Sequence, residues 1–187
     1  MKTTERVAVY LVGLTLGTLM VSMLLSRRAA KEEAAEDPWL AHNIEMVAAG
    51  AEPLPDGMPA SIHQGRIIDF GYLPNVETPK ERVWHLNFKE SYPYVRAVED
   101  VASGEFRYMA ADQISITLAE GVDVTELKPM LDELGLRLRM FNRKEDLAVI
   151  GVLSTQIDAV PATIAAVQAW SDLFDSAYAD ELKFTGQ

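Results

Sequence analysis

Three histidines, His42, His63 and His85, are the first residues to question for chemistry. They are too scattered for a helix-borne metal pair, whose two ligands sit one turn apart. His85 lies in the strand-like phrase "VWHLNF" and reads as a strand surface residue rather than a ligand. Asp172, Asp175, Asp180 and Glu181 offer carboxylates for acid–base work, but a solvated acidic edge fits them better. No GxSxG nucleophile elbow occurs, and no Gly-rich phosphate loop. The absence of cysteine removes thiolate catalysis, disulfides, CxxC metal sites and a lipidated cysteine. The expectation is a non-enzyme with no catalytic residue, no cofactor site and no metal site. A net charge of −11 disfavours a nucleic-acid partner, because phosphate binding runs on Lys and Arg. An RNA-reading sheet would need aromatics on its central strands, and "LAVIGVL" has none.

A chain that performs no chemistry of its own must be organised to hold something, and its organisation is legible. Residues 7–26, "VAVYLVGLTLGTLMVSMLLS", carry no charge over twenty positions. At about 1.5 Å per residue that run would cross about 30 Å of hydrocarbon. "RRAAKEE" follows at once where a cleavage site would stand, so residues 1–28 read as an uncleaved single-pass anchor. Gly13 and Gly17 form a GxxxG spacing that would let two such helices pair weakly as a homodimer. Flanking Lys and Arg are balanced across the run and leave its orientation undecided. Residues 29–65 read as an Ala/Glu-rich stalk, a short helix over 38–49 and a linker over 51–60 with Pro53, Pro55, Pro59 and Gly57. Asp37-Pro38 starts that helix and Gly50 stops it, with Leu40, Ile44 and Val47 on one face.

From Arg66 the pattern turns to strands. "RIIDFGYL" and "RVWHLNF" are β-branched and aromatic, and "YVRAVEDV" and "FRYMAAD" flank a Ser103-Gly104 turn, so residues 66–112 form a β-rich lead-in. Trp84, Phe88, Tyr92 and Tyr94 supply mostly core there, with Tyr92-Pro93-Tyr94 a further contact surface to consider. Ile114, Ile116 and Leu118 alternate with polar residues as in a half-buried strand. Val124, Leu127, Leu131 and Leu134 recur at helical spacing, and Gly135 stands where a left-handed cap belongs. Pro129 conflicts with that helix unless it begins near Thr125 or is kinked. Leu136, Leu138 and Met140 alternate with Arg137 and Arg139. "LAVIGVL" is apolar on both faces, as a central strand would be. Asp158 is placed to cap a helix with Val160, Ile164, Val167 and Trp170, and "FDSAYA" supplies the last strand. The fold class is α+β. Residues 113–187 take a βαββαβ, ferredoxin-like order, with both helices on one face of a four-stranded sheet and the other face open for binding.

The phrase "YMAADQISITLAEGVDVTELKPMLDELGLRLRMF" with "LAVIGVL" and "AVQAWSDLFDSAYADEL" resembles the N-terminal propeptide domain of subtilisin-family serine proteases. The likeness extends over roughly residues 83–182. It implies an inhibitor or folding chaperone that docks its open sheet face on a protease and threads its C-terminal tail through the active-site cleft. Here no protease domain follows within the chain. Carried onto these residues, the resemblance puts Ser115, Arg137 and Arg139 on the docking face and Asp180, Glu181, Leu182 and Phe184 in the tail. It also favours an extracytoplasmic position for the domain, since such proteases are mostly exported. The leading expectation is a membrane-anchored domain that binds a subtilisin-like protease in trans. The alternative is an assembly subunit of a membrane complex whose open sheet face takes another protein.

Overall fold

The computed structural model describes residues 17–28, 37–73, 80–89 and 94–184. The chain divides into two units, Met1–Glu45 and Met46–Gln187. In the first, residues 17–28 are helical and exposed. Among the described residues no helix is long and apolar enough to cross a membrane. Residues 7–16, the first half of the expected span, lie outside the described residues, as does Gly13. Around Gly17 the space a Cβ would take is open. Helix α1, Pro38–Ala48, begins as expected: Asp37 Oδ1 accepts the Trp39 N–H at 2.9 Å. None of its residues is buried; Leu40 is half-buried, and Ile44 and Val47 are exposed.

The second unit is built from two antiparallel sheets. The first is a meander of β1 (Arg66–Leu73), β2 (Glu81–Asn87), β3 (Tyr94–Asp100) and β4 (Phe106–Ala110), in that order. Gly104, at a φ of 72°, makes the β3–β4 turn as its sequence position predicts. Register sorts the side chains by face. Phe70, Trp84, Ala97 and Tyr108 form one cross-strand row, and Ile67, Leu86, Val95 and Ala110 another on the same side. That face is closed by the segment expected to be a linker. Met58 and Ile62 are buried against it, Leu54 packs beside them, and the Glu52 carbonyl accepts Trp84 Nε1–H at 2.8 Å. The prolines carry no N–H that would need a partner, and two turns, Met58 N–H to the Pro55 carbonyl at 3.0 Å and Ile62 N–H to the Pro59 carbonyl at 2.9 Å, fold the segment onto the core.

The second sheet contains β5 (Gln113–Leu118), β6 (Arg137–Asn142), β7 (Leu147–Gly151) and β8 (Phe174–Tyr178), ordered β6-β7-β5-β8. Helices α2 (Lys128–Leu134) and α3 (Ala159–Val167) cover one face. Leu127, Met130, Val160 and Val167 meet Ile114, Ile116, Ala148 and Ile150 in a single core. The Pro129 conflict resolves locally: a 3₁₀ turn, Val124–Leu127, precedes α2 and leaves Pro129 in its first turn. Asp123 and Glu126 form a capping box on that 3₁₀ turn. Gly135 ends α2 at φ 65°, in the left-handed region. Asp158 precedes α3, but its side chain makes no cap hydrogen bond, contrary to the capping role its position suggested.

Candidate functional site: an open sheet face and a docked tail

On the second sheet the face opposite the helices is read from register. Ile114 and Ile116 enter the core, so Ser115 points away from it. Its cross-strand partners extend the row: Met140, Val149, Ser115 and Tyr178 lie side by side on β6, β7, β5 and β8. The flanks stand out, with Met140 54 % and Tyr178 43 % exposed, while Val149 and Ser115 are buried. Ser115 is thus on the expected face, with its side chain buried. Its short side chain lies between taller neighbours.

The alternation that placed Leu138 and Met140 inward fails at a bulge between them, where the register of β6 on β7 shifts by a residue. Leu138 pairs with Ile150 on the helix side and Met140 with Val149 on the open side. Arg137 is exposed as expected. Arg139 instead lies across Gly151, where a Cβ would fall 2.8 Å from its Nε. Its Nη1 binds Asp112 Oδ2 at 2.6 Å and Gln113 Oε1 at 3.3 Å. Arg139 therefore clamps the start of β5, with its side chain still 39 % exposed.

The tail residues 180–184 run along β4. The Asp180 carbonyl accepts Ala110 N–H at 2.9 Å, Met109 bridges Glu181, and Leu182 N–H reaches the Tyr108 carbonyl at 2.8 Å. Asp180 Oδ2 accepts from Gln113 Nε2 at 2.7 Å. Leu182 and Phe184 pack against the core of the first sheet, and the Phe184 ring meets Tyr108 edge-on at 5.2 Å. Backbone pairing at an open edge together with two half-buried apolar side chains outcompetes solvent for this segment. The remaining tail residues, 185–187, lie outside the described residues, as do Tyr92 and Pro93.

Sequence reasoning missed a third arrangement, on the back of the first sheet. Asp69, His85, Arg96 and Met109 form one cross-strand row there. The row grips the loop between β7 and α3. Asp69 Oδ2 accepts Ile157 N–H at 3.0 Å, Arg96 Nε–H donates to the Ile157 carbonyl at 3.1 Å, and His85 bonds the Thr155 backbone. The Ile157 side chain lies over Gly71, whose Cβ would come within 2.7 Å of it, among Val83, Val98 and Leu73. His85 is only 2 % exposed, which corrects the surface reading. Its Nε2 has no hydrogen-bond partner. Burial lowers its pKa, and the Arg96 charge adds to this; the Thr155 contact and the Asp69 and Asp112 charges oppose it. Burial likewise lowers Arg96, against the field of Glu81. The available signal was that a Gly, a His and an Asp stand in strands that otherwise read as apolar.

Among the described residues no cluster of His, Asp or Glu has a metal-holding arrangement. Comparison of the chain with protein-family models, with curated proteins and with solved structures finds no match.

Proposed function

We propose that this chain is a membrane-anchored, non-catalytic protein-binding domain with its folded part on the extracytoplasmic side. Its second sheet is a ferredoxin-like, propeptide-like module, and the open face of that sheet is the docking surface. One observation carries the reading: the row Met140, Val149, Ser115 and Tyr178 lies on the face without helices, with its two large flanking side chains exposed. Exposed Met and Tyr around small, low neighbours suit a partner that inserts apolar groups. The resemblance supplies the most specific partner, a subtilisin-like protease inhibited in trans.

The docked tail favours a second version of the same function. For Leu182 and Phe184 to enter a protease cleft they must first leave the first sheet. An assembly subunit that binds through its sheet face alone needs no such release. Inhibition of a subtilisin-like protease by the full chain in detergent separates the versions. The protease reading expects inhibition that Tyr178→Glu weakens at least about tenfold, the size expected for losing one buried aromatic anchor. Absence of both inhibition and binding at micromolar concentration removes the protease and leaves the assembly reading. That reading is in turn tested by co-purification of Tyr178→Glu and wild-type protein from native membranes. A partner retained equally by both would remove the sheet face from the account.

A further inference from the structure

We infer that the outer edge of β6 is a docking site for an extended acidic peptide, which adds to the second sheet as another strand. This goes beyond the sheet-face reading, since it concerns the edge and a peptide ligand and holds whichever protein occupies the face. β6 is the outermost strand of its sheet, and no strand pairs with its far side among the described residues. Arg137, Leu138, Arg139 and Met140 are consecutively exposed. An unpaired edge of this kind is a template for main-chain hydrogen bonds from another chain.

Two features specify the ligand. The bulge throws Leu138 and Met140 to opposite faces, 40 % and 54 % exposed, so an added strand meets an apolar side chain on either face. Residues 137–144 also hold Arg137, Arg139, Arg143 and Lys144 in a chain of net charge −11. Arg139 is engaged by Asp112, and the Arg143 charge acts on Asp123. Arg137 and Lys144 make no ion pair among the described residues and lie at opposite ends of the edge. Glu145 and Asp146 follow directly, with Glu145 held by Asn142 at 2.8 Å. The complementary ligand is therefore extended, about six residues or 20 Å long, apolar at its centre and acidic at both ends. A second copy is the wrong occupant. Antiparallel pairing of two β6 edges would set Arg137 of one against the Arg143-Lys144 end of the other, and like charges opposed across strands repel.

The test uses the full chain in detergent and a labelled, end-blocked peptide with Glu at both ends and Val and Thr between, followed by fluorescence anisotropy. Saturable binding is expected. It should weaken strongly from about 0.1 M to about 1 M salt, as the screening length falls from about 10 to about 3 Å. Arg137→Glu, at an exposed position outside the core, should weaken binding about fivefold, the size of one surface ion pair turned repulsive. Tyr178→Glu should leave peptide binding unchanged, which keeps failure of this site distinct from failure of the sheet face. A peptide of the same sequence N-methylated at alternate residues keeps every charge but loses the backbone donors, and should not bind. Equal binding by the methylated peptide would reduce the edge to a patch of charge and overturn strand addition. So would absence of binding by the acidic peptide, or equal binding by a Lys-ended version.

Discussion

Replacing Asp69 by alanine tests how the two sheets are held in register. The carboxylate is half-buried and spends each oxygen on a backbone N–H: Oδ2 accepts Ile157 at 3.0 Å, and Oδ1 accepts its neighbour Phe70 at 2.9 Å. The Phe70 bond is local, and water can replace much of it. The Ile157 N–H is different, because its own side chain is wedged among Val83, Val98 and Leu73 over Gly71. A hydrogen bond to a charged acceptor is worth about 1.5–3 kcal/mol net, and an orphaned donor costs about the same. Asp69→Ala should therefore destabilise by about 2–3 kcal/mol. For a domain of this size that lowers the melting temperature by about 5–10 °C. Asp69→Asn keeps a carbonyl oxygen that can accept from Ile157 and should lose only about 1 kcal/mol. Urea denaturation of the full chain in detergent reads both, with the midpoint moving and the slope held. If Asp69→Ala lies within about 0.5 kcal/mol of wild type, the level of an ordinary surface substitution, the Ile157 bond contributes nothing and the row is not a clamp. Equal loss in Ala and Asn variants would assign the effect to charge rather than to the acceptor.

Phe184→Ala should cost about 1–2 kcal/mol, from a half-buried ring and its edge-on contact with Tyr108. Deleting residues 180–187 should expose the β4 edge to limited proteolysis and lower the urea midpoint, whereas a solvent-held tail would change neither. Gly135→Ala should cost about 1 kcal/mol, because φ 65° disfavours any Cβ. His85 makes the fold acid-sensitive, since its pKa is lowered by burial from the usual 6.5. Above that value both folded and unfolded histidine are neutral and there is no penalty. As pH falls below it the unfolded chain takes up a proton that the folded chain resists, so stability declines. Urea midpoints compared near pH 7.5 and pH 5.5 should separate in the wild type and converge in His85→Gln, and an unchanged separation in that variant would remove His85 as the cause.

Much of the local structure was legible because its causes are local. The two-residue period of Ile114, Ile116 and Leu118, the helical spacing from Val124 to Leu134, and Gly104 and Gly135 in turns each act within a few residues. The elements they predict are present, and the order β5-α2-β6-β7-α3-β8 follows from them. Pro129 is legible as a conflict from sequence alone, since its missing N–H excludes it from a helix interior wherever the chain goes.

What pattern could not reveal depends on which segment competes for a distant edge or face. Residues 51–60 have the composition of a linker, yet Met58 fills the space beside Trp84, because a sheet face bearing Trp84 and Leu86 must be covered by something. Asp180 to Phe184 looks like a loose acidic end, yet β4 has an unpaired edge within reach, and backbone pairing is indifferent to sequence. Arg139 reads as an outward cation until a bulge turns it over Gly151 toward Asp112. His85 reads as a surface residue until a loop more than sixty residues later closes over it. Periodicity tells which way a side chain points relative to its own strand. Whether that direction holds water, a core or another part of the chain is set by long-range packing, and in this protein that packing joins the two sheets.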